Sequence, residues 1–433
     1  MAHQRVIAPM VLFALLCTGG INSWSQTQSP QDMQLAGGDA DEACPWEVLS
    51  PGAACLLPSI SATPAIEPPV ELPTRPESII AHWDEKATKR GIDPHMSLRT
   101  EVTAALFGSK GPLRVDARNL LEISTAVDLE RMAGWKGSRL FASMHSLAGG
   151  NGSDEILLDL QGYSNINAPS GTNLYELWFE QTLRNGKLRL KIGRIDANTE
   201  FAYVENAAGF LNSSMGYSPA IASLPTYPYP RLGVAIFLRP KSFYYLNEGV
   251  FEDSPDGMMS LTEAGLRWKW FARDARLAYG YWFHTESYPL EGAQAQHGAQ
   301  GDYVVAEQQF WVQEELAGGA ARGIAGFFQY GSADPWAAKM DRHLGFGLQW
   351  TGPWRRRSFD VVGIGASMVH LNPPLNSAEE LTYDHERNFE GFYRVQASRW
   401  LSLTFDGQLI NRPHGDVNCA LTMAGSLRST IAF

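Results

Sequence analysis

Bulky apolar positions alternate with polar, charged or glycine positions in short runs from about residue 97 to the end of the chain. Leu188, Leu190 and Ile192 alternate with Arg189, Lys191 and Gly193. Leu277, Tyr279, Tyr281 and Phe283 oppose Arg276, Ala278, Gly280, Trp282 and His284. Leu344, Phe346, Leu348 and Trp350 oppose His343, Gly345, Gly347 and Gln349; Leu401, Leu403 and Phe405 oppose Ser402, Thr404 and Asp406. A period of two is the pattern of a β-strand with two unlike faces. Leu427, Ser429, Ile431 and Phe433 share one parity, so a strand is expected to run to the end of the sequence. Arg184-Asn185-Gly186-Lys187 and Thr351-Gly352-Pro353-Trp354 read as hairpin turns. Upstream, Ile79, Ile80, Trp83 and Ala87 recur at helical spacing. They predict a short helix over 79–90 that Gly91 ends and Asp93-Pro94 keeps from continuing.

The same alternation serves a soluble sandwich or a closed barrel in a bilayer, and two features favour the barrel. Trp268, Trp270, Tyr281, Trp282, Trp350, Trp354 and Trp400 gather near the ends of runs, where a membrane barrel carries its aromatic girdles. The composition is the second feature: 13 Trp, 15 Tyr, 20 Phe and 41 Gly at a mean hydropathy of −0.20. Beyond residue 20 no stretch approaches the roughly 18–20 apolar residues of a spanning helix. A membrane chain without such a helix must close its sheet, because an open edge leaves backbone groups unsatisfied in lipid. Roughly 335 residues at ~10 per tilted strand, plus connections, accommodate ~16 strands. The expected fold is all-β: a transmembrane antiparallel β-barrel of about 16 strands, with inward constriction loops and a short N-terminal helical segment.

The first 78 residues read differently. Arg5, an apolar stretch over 6–16, and the small residues Ser23 and Ser25 form a secretory signal with cleavage before Gln26. Residues 26–78, rich in Pro, Ala and acid, read as a periplasmic linker. Between 26 and 80 eight acids stand against one base, Arg75, so most of the net charge of −11 sits there. That balance argues against nucleic acid as the main partner. The expected organisation is a signal peptide over 1–25, a linker over 26–78 and an outer-membrane barrel over 79–433. Cys44 and Cys55 close a short loop that a disulfide can pin after export. Cys419 stands apart, and no His or further Cys lies at a spacing that supports a metal reading.

The search for catalysis is negative: there is no nucleophile elbow, no His-Glu-x-x-His, no phosphate-binding loop and no dinucleotide fingerprint. Asp384-His385-Glu386-Arg387 is a charged cluster that reads as a loop. No cofactor, metal or catalytic set is expected. The densest polar constellation runs Arg189, Lys191, Arg194, Asp196, Asn198, Glu200, Tyr203, Glu205 and Asn206. Donors and acceptors at many angles suit a hydroxyl-rich solute, but from composition alone a solvated, salt-bridged turn is the stronger reading. The Pro- and Tyr-rich stretch that follows, to Pro230, cannot be a central strand. It is expected to be a long shaped loop, and in a barrel such a loop can fold inward and set the pore.

At these residues a family resemblance becomes specific. Gly193-Arg194-Ile195-Asp196-Ala197-Asn198-Thr199-Glu200-Phe201-Ala202 is followed by Asn206, Phe210-Leu211-Asn212-Ser213-Ser214, Ser218-Pro219 and Leu224-Pro225-Thr226-Tyr227-Pro228. This block resembles the hallmark of the carbohydrate-selective porin OprB family. Lys89-Arg90-Gly91-Ile92 resembles the start of that family's domain, and Glu390, Tyr393, Trp400, Leu401, Asp406, Gln408, Asn411 and Pro413 resemble its end. The resemblance covers about 80–433 and implies a 16-stranded outer-membrane barrel of a Gram-negative bacterium that passes small sugars such as glucose by diffusion. It implies a constriction lined by charged residues, carried here by Arg194, Asp196, Glu200 and Glu205, with Arg231 beside the Pro-rich loop. It leaves a homotrimer and a monomer both open. A porin for organic acids or anions is the alternative, with an outer-membrane enzyme behind it; the nearly balanced body argues against strong anion selection.

Overall fold

A computed structural model describes residues 87–432, apart from 109–113, 151–156, 158, 254–256, 289–294, 316–320, 373–384 and 416–420. The signal and linker segments, Cys44, Cys55, Cys419, residues 79–86 of the expected helix and Phe433 lie outside the described residues.

Sixteen antiparallel strands close into a barrel in which each strand pairs with its neighbours in sequence. They are β1 (Ile92–Phe107), β2 (Val115–Asp128), β3 (Ser138–Gly149), β4 (Gly171–Leu183), β5 (Leu188–Ile195) and β6 (Arg231–Lys241). β7 (Tyr244–Asp253), β8 (Gly257–Trp270), β9 (Arg273–Tyr288), β10 (Gln296–Glu315) and β11 (Ala321–Ala333) follow. β12 (Met340–Thr351), β13 (Val361–Leu371), β14 (His385–Gln396), β15 (Leu401–Asn411) and β16 (Leu421–Ala432) complete the wall. β16 seals against β1 from Ser97↔Ala432 to Ala104↔Gly425, so the last run is the closing strand. Closure removes the edge that lipid cannot solvate.

The alternation assigns the faces. Ile192, Leu277, Tyr279, Phe346, Leu348, Phe405 and Leu427 are exposed on the outside, while Lys191, Arg276, His284, His343, Thr404 and Arg428 are buried on the inside. The barrel is therefore apolar outside and polar within, the inverse of a soluble domain. Trp268, Trp270, Trp350, Trp354 and Trp400 are exposed, as girdle residues should be, but Trp282 is 0% exposed and belongs to the interior. Its parity with Gly280 and His284 rather than its closeness to a strand end decides its side.

Ile92 and Ala432 share one rim, which also carries short connections at 184–187, 242–243, 271–272 and 397–400. The opposite rim carries the long segments 150–170 and 196–230. Short periplasmic turns and longer outer loops are the rule for such barrels, so the first rim is periplasmic. The 184–187 turn is as expected, with Arg184, Asn185 and Gly186 at positive φ. The connection at Thr351-Gly352-Pro353-Trp354 is longer than a hairpin and runs to Asp360, whose carbonyl accepts from Gly352 at 2.8 Å. His385, Glu386 and Arg387 are strand residues at the start of β14, where a loop was expected. Residues 87–89 are helical and Gly91, at φ +83°, turns the chain into β1. A short helix α1 (Leu129–Ala133), which periodicity is too short to show, is capped by Asp128, whose side chain accepts from Glu130 and Arg131, and by left-handed Gly134.

Candidate pore constriction

The segment 196–230 folds into the lumen because its own sequence is amphipathic. Phe201 sits between Phe237 and Phe251, with ring centroids 6.0 Å from each. Phe210 meets Phe327 and Phe392 edge-on at 5.6 and 5.0 Å. Met215 and Ile221 join the same buried cluster against the wall. Glycines on the inner wall make room for these rings: a Cβ on Gly365 or Gly249 would lie within 2.8 Å of Phe210 or 2.9 Å of Phe201.

Buried backbone in such a loop needs hydrogen-bond partners, and inward glutamates on the wall supply them. Glu263 of β8 accepts from Ala202 N at 2.9 Å, and Glu307 of β10 from Asn206 N at 2.7 Å. Glu390 of β14 accepts from Leu211 N at 2.5 Å and Asn212 N at 3.2 Å. Glu386 anchors the other inward segment through Leu160 N at 3.0 Å and Gln161 N at 3.1 Å. Arg276 binds Glu263 at 3.1 Å, Glu307 at 2.9 Å and the Tyr203 carbonyl at 2.8 Å, so two anchors and the loop share one cation. The two inward segments are also joined to each other: Asn165 N donates to Leu211 O at 2.7 Å and Ser213 N to Gly162 O at 2.8 Å.

The wall left facing these joined loops belongs to β1, β2, β3 and β16. There Arg428 binds Glu101 at 2.6 Å and Ser164 at 3.2 Å. Arg118 contacts Asp116, Tyr163 and Asn167. Arg99 pairs with Glu122 at 3.5 Å and keeps 28% of its side chain exposed. Tyr227 donates to Ile166 O at 3.0 Å and lies within the field of Arg99, Arg118 and Arg428. Burial raises its phenol pKa while the arginines pull it down.

The five residues expected at the constriction fall into three groups. Asp196 and Glu200 are buried. Asp196 caps the turn at Ala197–Thr199 and accepts from Tyr175; burial raises its carboxyl although Tyr175, Thr226 and Asn198 all donate to it. Glu200 receives Arg189 at 2.5 Å and also Lys191. Burial alone would raise Glu200, and the two cations overcome it and hold it at about 2. Both residues build the base of the loop. Arg194 lies on the outward parity, level with Leu177 and Leu232, which are 49% and 58% exposed, and its Nε donates to Tyr175 O at 3.1 Å. Glu205 is exposed on the loop, and Arg231, on the inward parity at the outer rim, pairs with Asp253 at 3.7 Å.

Asp253, His284 and Glu286 bring ligand atoms within 4.8 Å of one another near that rim. Asp253 is already held by Arg231 and by His284 Nε2 at 2.6 Å, a closed ion pair rather than an open ligand set. The sequence did not single out Arg99, Arg118, Arg428, Glu263 or Glu307, and it named Glu386 and Glu390 without their anchoring role. Their inward parity is readable, but their loop partners are far away in the chain.

A barrel narrowed from within by its own loops is an outer-membrane porin. The profile of the carbohydrate-selective porin, OprB family matches residues 116–279 and 271–433. The chain belongs to that family, and it is a channel for carbohydrates in the outer membrane of a Gram-negative bacterium. It is similar to Porin B of Pseudomonas aeruginosa, at 22% identity over 400 residues, 78% of this chain and 87% of that protein. Its fold matches the high-pH structure of Pseudomonas putida OprB with a TM-score of 0.74 at 18% identity, covering 82% of this chain and 97% of that one. The low-pH structure of the same porin gives a TM-score of 0.57 at 17% identity, over 82% and 96%.

Proposed function

We propose that the solute is a small neutral sugar such as glucose, diffusing passively, and that it meets the protein at Arg99, Tyr227, Glu205 and Arg231. One observation carries this reading: the wall facing the joined loops pairs cations with carboxylates, Arg99 with Glu122 and Arg428 with Glu101. Paired charges offer both donors and acceptors to hydroxyl groups while giving no net field for an anion. A sugar sheds part of its hydration there, and the retained exposure of Arg99 lets it exchange water for sugar oxygens. Binding must stay weak so that the solute leaves. Asp196 and Glu200 contribute by holding the loop.

Planar-bilayer recording with glucose on one side tests this reading. Glucose should reduce ion current through the channel, and Arg99→Ala should weaken that block. Ion current indifferent to glucose, together with no glucose entry in liposome swelling, would sink it. Strong anion selectivity would favour the organic-acid alternative.

The segment 1–25 is proposed to be removed on export, leaving 26–78 as a periplasmic linker with Cys44 bonded to Cys55. A homotrimer is the proposed assembly. The outer face of β1–β4 carries small residues such as Ala104, Ala117 and Ala142, and hydrogen-bonded polar pairs, Thr100 with Asn119 and Ser146 with Thr172, each at 2.7 Å. Such pairs suit a protein neighbour better than lipid. Light scattering of the detergent-purified protein distinguishes trimer from monomer.

A further inference from the structure

The outward face changes chemistry over one sector at the outer rim. Along β12–β15 the outward positions Phe346, Leu348, Ile364, Met368, Phe389 and Leu409 are exposed and apolar. Immediately beyond them toward the outer rim the same parity turns basic: Arg342 on β12, His370 on β13, and His385 and Arg387 on β14. Register makes these a contiguous set, with Arg342 opposite His370, His370 opposite His385, and Arg387 opposite Asn411. Arg412, the residue after Asn411, donates to His385 Nε2 at 2.9 Å.

Arg342 and Arg387 are exposed, and among the described residues neither forms an ion pair. This sets them apart from the inward arginines: Arg276 is shared by two glutamates and Arg428 is bound to Glu101. Among the described residues, the acids nearest Arg342 are already engaged. Asp341 holds His370 Nδ1 at 2.5 Å, and Asp302, two strands from Arg342, accepts from Ser332. Two strands at ~4.8 Å and two residues at ~3.3 Å separate Arg342 from Arg387, roughly 12 Å between Cα atoms. Two long guanidinium side chains at that spacing can close on one group between them. The set stands at the top of the apolar band, which in such barrels is about 25 Å tall, so the group at that level belongs to a lipid headgroup.

We propose that the outward basic sector of β12–β15 binds the phosphorylated headgroup of an outer-leaflet lipid, with the acyl chains lying along Met368, Phe389 and Leu409. Phosphate is the anion that matches paired guanidinium forks, each of which can bind it bidentately. The apolar rows directly beneath supply the chain contacts that a free anion would not use.

Native mass spectrometry of the full detergent-purified chain tests this with bisphosphorylated lipid A and its dephosphorylated form as probes. The parent should retain the phosphorylated lipid preferentially. Arg342→Gln combined with Arg387→Gln should lower that retention by about tenfold, equivalent to roughly 1.4 kcal/mol. Glucose block of the channel should not change, because both residues lie outside the lumen; this separates failure here from failure of the sugar reading. Arg399→Gln at the periplasmic rim should retain lipid as the parent does. Should the double variant fail to fold, Arg387→Gln alone must weaken retention and Arg387→Lys must restore part of it. Equal retention by variant and parent, or equal retention of the dephosphorylated lipid, overturns the proposal. Thermal protection by inorganic phosphate equal to that by lipid A overturns it as well.

Discussion

At the scale of single residues, a side chain's parity decides its role more firmly than its charge does. Arg194 sits in the densest polar block of the sequence, yet Leu188, Leu190 and Ile192 precede it at the same parity. Two-residue periodicity carries all of them to the outside. Arg194→Ala should therefore leave single-channel conductance and glucose block unchanged, and a shift in either would return the residue to the pore. Glu390 has the opposite character. It is buried on the inner wall, and its carboxylate satisfies two backbone N–H groups of the loop. Glu390→Ala leaves both donors unpaired, at a cost of about 1–3 kcal/mol each. The expected result is a lower thermal stability in detergent and a larger conductance as the loop comes away from β14. An unchanged conductance would mean that Glu263 and Glu307 suffice to hold the loop in place.

At the scale of elements, the strands were legible and the loops were not. A strand between lipid and water must present bulky apolar residues to one side and polar or small ones to the other, so 343–350 and 401–408 announce both their conformation and their facing. The loop announces only that it is long and cannot be a strand. Where it goes depends on Phe201 and Phe210 finding seats between strands far along the chain, and on glutamates as distant as Glu390. No local pattern encodes those partners. Glycine was legible in part. Its alternation with bulky residues placed it on the strands but did not show the reason for it: many inner-wall glycines leave room for rings from the next strand. A Cβ on Gly280 would stand 1.9 Å from Tyr303 Cζ, and a Cβ on Gly265 2.1 Å from Tyr245 Cζ. Tyr303 and Tyr245 cannot retreat freely, because both hydroxyls donate to Glu263, at 2.9 and 2.7 Å. Gly280→Ala should cost about 1–3 kcal/mol through this overpacking, measured as a lower unfolding temperature in detergent. A variant as stable as the parent would mean that the wall yields more easily than its hydrogen bonds suggest.

At the scale of the whole molecule, the wall and the loops rest on different forces, and pH separates them. The wall is held by a closed ladder of backbone hydrogen bonds that carries no titratable group. The loop's base depends on Glu200 staying ionised between Arg189 and Lys191. Its carboxyl is depressed from 4.5 to about 2. A depressed acid contributes its stability in full above the ordinary carboxylate range and loses it as pH falls through the folded value. The anchor is thus intact from neutral pH to about 5 and fails progressively between about 4.5 and 2. The part of the conductance response that Glu200 carries should be flat over the first interval and change over the second, while the strand signal in circular dichroism persists throughout. Glu200→Gln should abolish the acid transition of conductance that Glu200 contributes. It should also destabilise the loop at neutral pH, because Arg189 and Lys191 lose the nearer carboxylate and keep only Glu180, at 2.7 and 3.9 Å. A Glu200→Gln channel with the parent's acid response would place the titrating anchor elsewhere in the lumen. A parent whose strand signal collapses together with its conductance would show that loop and wall unfold as one unit.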